Sequence, residues 1–157
     1  MKSNNAKINT RGGKGSYIQG KYVPKNPEKY AGDINKCIYR SGWEKDFMVM
    51  CDENPGVSSW ACEPFHIQYF HPLEKKYKIY WIDFIVQYID TNGRRKIDLI
   101  EIKPENETFI EKAKTKKNKI AVIINHAKWK AAAAFAKQNG LNFRVLGETM
   151  LYGNRRL

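Results

Sequence analysis

The sequence predicts an α/β fold with a mixed central sheet. Three observations carry that reading. Tyr77 to Pro104 (YKIYWIDFIVQYID, TNGRR, KIDLIEIKP) reads as two long strands joined by a tight turn, because β-branched and aromatic residues fill both runs and Asn92-Gly93 supplies a positive φ. Ile120 to Asn139 reads as a long helix closed by Gly140, and FRVL within Asn142 to Leu146 reads as one more strand. An earlier helical pattern from Tyr39 to about Asp52 completes the order helix, strand, strand, strand, helix, strand, which layers helices against a sheet.

Taken in order, residues 1–36 are polar, glycine-containing and basic, with Lys14, Lys21 and Lys25 interleaved with Tyr17 and Tyr22. So little apolar surface predicts an arm that orders on a partner or wraps the domain formed by 37–157. Lysines alternating with tyrosines suit contacts to a nucleic-acid backbone and stacking on bases. In YRSGWEKDFMVMCD, Trp43, Phe47 and Met50 form one helical stripe; Ser41 is the N-cap and Glu44 the matching capping-box residue. Asn54-Pro55-Gly56 is a turn, and Phe65, Ile67 and Tyr69 mark a strand within VSSWACEPFHIQYFHP. Glu63, just before that strand, reads either as a loop carboxylate or as a further acid near a site. After Pro104, Lys112, Lys114, Lys116, Lys117 and Lys119 form a basic run, a solvated face that would also attract phosphates.

The anomaly lies in the hairpin. Asp83 interrupts the most apolar part of the first strand, and Glu101 and Lys103, two apart on the second, share one face. A two-residue Asn92-Gly93 loop would set Asp83 opposite Ile102. A three-residue loop, Thr91-Asn92-Gly93 with Gly93 left-handed, sets it opposite Glu101, and this is the register expected. The trio could be a plain ion pair, but apolar residues flank it on both faces, where unengaged charge is costly. Two carboxylates beside one ammonium suit metal-assisted phosphodiester hydrolysis: hard oxygen ligands for Mg²⁺, and a lysine to orient or activate water.

The 157-residue chain is long enough for one domain with a real core. Its 28 Lys and Arg against 16 Asp and Glu give a formal charge of +12, which points to a polyanionic partner, nucleic acid first. No apolar run approaches the ~20 residues of a membrane span, and MKSNNAKINTRGGKG has no hydrophobic signal core, so a cytosolic protein without a membrane partner is expected. Cys37, Cys51 and Cys62 contain no CxxC pair. Neither a disulfide framework nor a zinc site with His66 and His71 is expected from their spacing.

An acid on the first helix, Asp on one strand and E-x-K on the next resemble the PD-(D/E)XK nuclease superfamily. YIQGKYVPKNPEKY, YRSGWE, CDENPGVSSWACE, WIDF, EIKP, NHAKWKAAAAFAKQNG and FRVLGE look like the head completion nucleases of tailed bacteriophages, across roughly residues 16–150; the heteromeric transposase endonuclease subunit is a more distant look-alike. The resemblance implies a restriction-endonuclease-like αβββαβ core over 37–157, and a Mg²⁺-dependent endonuclease on double-stranded DNA, with Mn²⁺ expected to substitute. It would process the packaged DNA end before tail attachment, in the host cytoplasm during assembly or with the virion, in contact with portal or head-completion proteins. Carried over by position, Asp83, Glu101 and the Ile102 carbonyl would bind metal. Lys103 would serve the water, Glu44 would complete the cluster, directly or through water, and Glu63 stands as a weaker candidate ligand. The proline that often precedes the family Asp is absent: Ile82 stands there. Two alternatives share the sequence: a DNA-binding head-completion plug without essential catalysis, and a repair or transposition nuclease.

Overall fold

The computed structural model describes residues 19–153; Lys14, Tyr17 and the rest of the expected arm before residue 19 lie outside the described residues. The elements are β1 (Gly20–Lys21), β2 (Ile38–Tyr39), α1 (Gly42–Glu53), β3 (Val57–Cys62), β4 (His66–His71), β5 (Lys76–Trp81), β6 (Phe84–Ile89), β7 (Arg95–Ile102), α2 (Lys116–Gln138), β8 (Asn142–Leu146) and α3 (Glu148–Tyr152). Four strands form the central sheet in the order β3-β6-β7-β8. The β3–β6 and β6–β7 pairs are antiparallel, and β7–β8, joined through α2, is parallel. The sheet is therefore mixed, and α1, β3, β6, β7, α2, β8 supply the expected αβββαβ core.

Helix α1 and the sheet enclose one apolar cluster, with Phe47, Met48 and Cys51 packed against Trp60, Phe84, Ile100 and Ile102. A second cluster joins α2, through Trp129, Ala132 and Ala136, to Leu99, Ile82 and the β4–β5 hairpin. Central strand β7 is consequently covered on both faces, and its residues from Asp98 to Ile102 are all buried. The α1 stripe differs from the expected one: Met50 is 48% exposed, while Met48 and Cys51 are wholly buried. Phe47, Met48 and Cys51, at i, i+1 and i+4, define a face rotated from that of Trp43 and Met50.

Two strand assignments need correction. The stretch 57–71 makes two strands in different sheets, β3 in the central sheet and β4 outside it. Glu63, with φ 43°, and Pro64 separate them. Likewise, Tyr77 to Asp90 is not one strand. Its first part, β5, pairs with β4 as a separate hairpin (His66 opposite Trp81, His71 opposite Lys76), and its second part, β6, pairs with β3 and β7. The change of partner falls at Ile82 and Asp83. Alternating burial is the same for any strand, so it does not reveal where one strand passes from one sheet to another.

Helix α2 starts at Lys116, four residues before the expected start at Ile120, because the Thr115 hydroxyl accepts the Asn118 N–H at 3.1 Å. Its end is as expected, with Gly140 at φ +67°. Residues 20–36 wrap the domain. Tyr22 and Tyr30 enter the core, and buried Asp52 accepts hydrogen bonds from the Tyr22 hydroxyl (2.7 Å) and from the backbone N–H groups of Lys25 (2.7 Å) and Asn26 (3.0 Å).

Candidate active site

The geometry of the site begins at a turn. Residues 91–93 close β6 onto β7; Asp90 accepts the N–H groups of Asn92 and Arg94 at 2.9 Å each, and Gly93 has φ +75°. This three-residue loop sets Ile89 opposite Arg95 and, at the far end, Phe84 opposite Ile100. Asp83 precedes Phe84 and Glu101 follows Ile100, so the two acids meet across the strand ends, in the register the loop chemistry predicts. The Ile102 N–H donates to Asp83 Oδ2 at 2.8 Å, and the Lys103 ammonium lies 3.8 Å from Glu101 Oε1. Beyond Ile102, the Lys103 N–H donates to the Leu146 carbonyl at 3.0 Å, which fixes the strand end that carries the site.

Electrostatics mark the pair as strained. Burial, then the charges of Glu101 and Glu44, holds the Asp83 carboxyl well above its ordinary range, against the Ile102 N–H and Lys103. Burial also raises Glu101, although Lys103, the Tyr80 hydroxyl, Lys128 and a hydrogen bond shared with Asp83 oppose the rise. Two buried carboxylates side by side favour keeping a proton, an effect that a bound cation would relieve. For Lys103, burial disfavours the ammonium, but Glu101, Asp83, Glu107 and Glu44 outweigh it and the net shift is upward.

Glu44 reaches the site from the first turn of α1. Its N–H donates to the Ser41 hydroxyl at 3.1 Å, and its carboxylate accepts the Arg40 N–H at 2.8 Å, a capping box displaced by one residue. Burial is the main cause of its raised pKa, and its charge acts on both Asp83 and Lys103. Glu63 is engaged elsewhere: the Arg40 guanidinium donates to it at 2.6 and 3.3 Å, and its own N–H donates to the Asp83 carbonyl at 2.8 Å. Lys21 is exposed, Lys25 pairs with Glu53 at 2.7 Å, and Lys112 pairs with Glu105. Lys114, Lys116 and Lys117 are exposed around the start of α2.

Two residues at the site carried no sequence signal. Tyr80 is buried in β5 and donates its hydroxyl to Glu101 Oε2 at 3.0 Å. Lys128 of α2 lies 5.7 Å from the ring centroids of both Tyr69 and Tyr80. Only the folding of the β4–β5 hairpin against α2 brings them to the acids. In the sequence, Tyr80 is one aromatic among many and Lys128 one lysine in a lysine-rich helix.

The donor set fits a hard divalent cation. Asp83 and Glu101 offer carboxylate oxygens, and the Ile102 carbonyl stands at the end of the same strand. Among the described residues no three His, Cys, Asp or Glu side chains converge tightly enough to enclose an ion. An ion held here would complete its shell with water and substrate oxygens, the habit of Mg²⁺.

Comparisons with known proteins give the relatives of the chain. The family described as TnsA-like endonuclease N terminal matches residues 54–148, from the turn before β3 to the start of α3. The head completion nuclease of Enterobacteria phage T4 is 40% identical over 139 residues, covering 82% of this chain and 90% of that protein.

Proposed function

Because the chain belongs to the TnsA-like endonuclease N-terminal family, we propose that it is a Mg²⁺-dependent DNA endonuclease acting in phage head completion, where it processes the packaged DNA end before tail attachment. The observation that carries this reading is the pairing of Asp83 with Glu101 across the ends of β6 and β7, with the Lys103 ammonium 3.8 Å from Glu101. Asp83, Glu101 and the Ile102 carbonyl would hold the ion, with Glu44 adding negative charge directly or through water. Glu63 stays with Arg40 and steadies the strand end behind Asp83. When bound, a divalent ion supplies Lewis acidity at the phosphate and lowers the pKa of water.

The chain's own groups do the rest. Lys103 orients the attacking water and balances charge that develops on the phosphoryl oxygens. Water adds to phosphorus as one P–O ester bond breaks; its oxygen stays on the phosphate and one of its protons passes to the leaving oxygen, giving a phosphomonoester and an alcohol. Lys114, Lys116 and Lys117, exposed around the N-terminus of α2, contact the DNA backbone, with Lys21 and the segment before it. Lysines in a helix's first turn oppose the helix dipole, and a bound phosphate relieves that opposition. Lys25 and Lys112 join them only by exchanging Glu53 and Glu105 for phosphate. Host cytoplasm is the compartment this role requires; among the described residues no helix is long and apolar enough to cross a membrane.

The test is cleavage of linear and supercoiled duplex DNA with Mg²⁺, Mn²⁺ or EDTA by the native chain, Asp83→Ala and Lys103→Ala. Metal-dependent cutting by the native chain alone, with DNA binding kept by both variants, is the expected result. Binding by all three without cutting under any metal would turn the reading toward a structural DNA plug.

A further inference from the structure

We propose that Lys128 of α2 is a second lysine of the active site, contacting a phosphate of the DNA strand held at Asp83 and Glu101. The inference rests on the endonuclease reading above. Its structural basis is the seat of the ammonium: Nζ lies 5.7 Å from the ring centroids of both Tyr69 and Tyr80, whose rings meet edge to face at 6.4 Å. Two aromatic rings fix the position of a cation while supplying no counter-charge. The hydroxyl of one of them, Tyr80, donates to Glu101 at 3.0 Å, so the seat is built onto the metal-binding carboxylate itself.

Lys128 also lacks the partner a half-buried cation normally has. Among the described residues, the ion pairs of this chain leave it out, whereas Lys103 faces Glu101, and Lys112 faces Glu105. Burial and the nearby Lys103 and Lys78 disfavour its charge, and only the field of Glu101 and Asp83 favours it. Once those carboxylates are engaged by a divalent ion, Lys128 and Lys103 are two ammonium groups acting on each other without a free anion beside them. A phosphate group fills that role.

Helix geometry links the seat to the basic run. Lys117 precedes Lys128 by eleven residues, which at about 100° per residue returns to the same azimuth after three turns, roughly 16 Å along the axis. One line of α2 therefore carries a cation at its exposed start and another at the acids. A DNA strand following that line reaches the site with its backbone against the helix.

The test uses the full chain and three variants: Lys128→Gln, Lys128→Arg, and Lys128→Met, which keeps an unbranched stem over the tyrosines. Binding of a linear duplex is measured with Ca²⁺ in place of Mg²⁺, at several salt concentrations. Loss of one phosphate contact lowers the slope of log K against log[salt] by about 0.9. That decrease is expected for Gln and Met, with Arg retaining the native slope. In Mg²⁺, the Gln variant is expected to lose about 100-fold in kcat, with partial recovery in the Arg variant. A native slope in both Gln and Met overturns the proposal even if their cleavage is weakened, since that pattern belongs to a packing role. Failure of the native chain to cut while the slopes still differ overturns the endonuclease reading and leaves the phosphate contact standing. Failure of the native chain to bind DNA overturns both.

Discussion

Asp83 accepts the N–H of Ile102 at 2.8 Å, which ties the break between β5 and β6 to the residue that follows Glu101. The contact exists only in the register set by the loop at 91–93. Inserting one alanine between Asp83 and Phe84 leaves the loop and the β6–β7 pairing from Phe84 onward intact and moves Asp83 one position along, opposite Ile102. Cleavage is expected to fall by about 100-fold or more, since displacement of about 1 Å at a reacting centre already costs that much. A cleavage assay beside far-ultraviolet circular dichroism checks it: the sheet signal should persist while activity is lost.

Raised carboxyls at Asp83 and Glu101 make the metal-free protein sensitive to pH. The folded state binds protons there more tightly than the unfolded chain. That contribution to stability is fully present below the ordinary carboxylate range near pH 4, and is lost as pH rises through the raised folded values. Metal-free thermal unfolding should therefore show stability contributed at mildly acidic pH fading toward neutrality, and Asp83→Asn should flatten the trend. At neutral pH that variant is expected to be more stable by about 1–3 kcal/mol, because it removes a buried like-charge contact and keeps an acceptor for the Ile102 N–H.

Binding of a divalent ion must displace the proton shared by the pair. Titration calorimetry of Mg²⁺ or Mn²⁺ in two buffers of different ionisation enthalpy should report proton release on ion binding at mildly acidic pH, where the raised carboxyls hold the proton. Asp83→Asn should abolish the buffer dependence. Equal heats in both buffers with the native chain would contradict a shared proton.

Tyr80 acts on Glu101 through one hydrogen bond, at 3.0 Å. Tyr80→Phe keeps the ring beneath Lys128 and removes only the hydroxyl. Loss of a partner behind a metal ligand costs about 10–100-fold in metal affinity or activity. The expected signature is a higher metal concentration for half-maximal cleavage, with much of the rate recovered at saturating metal.

Away from the site, Asp52 anchors the segment that wraps the domain, accepting from Tyr22, Lys25 and Asn26. Burial works against its charge, but these donors prevail and its pKa is lowered. Asp52→Ala strands a buried hydroxyl and two backbone N–H groups, and is expected to cost about 3 kcal/mol. Denaturant unfolding measures the loss, and limited proteolysis should show new cuts within 20–36.

The sequence by itself determined what short-range chemistry controls. The three-residue loop with left-handed Gly93 set Asp83 against Glu101, Ser41 and Glu44 capped α1, Gly140 ended α2, and the mixed αβββαβ order followed from these elements. Each depends on a few consecutive residues with a strong local preference. Tertiary structure alone decided that the strand pattern through Asp83 passes between two sheets, that 57–71 divides at Glu63, and that Asp52 holds the wrapping segment. It also decided that Tyr80 and Lys128 reach the acids from β5 and α2. Apolar alternation states that a strand is half-buried without naming its partner, and a lysine or tyrosine gains its role from groups distant in the chain.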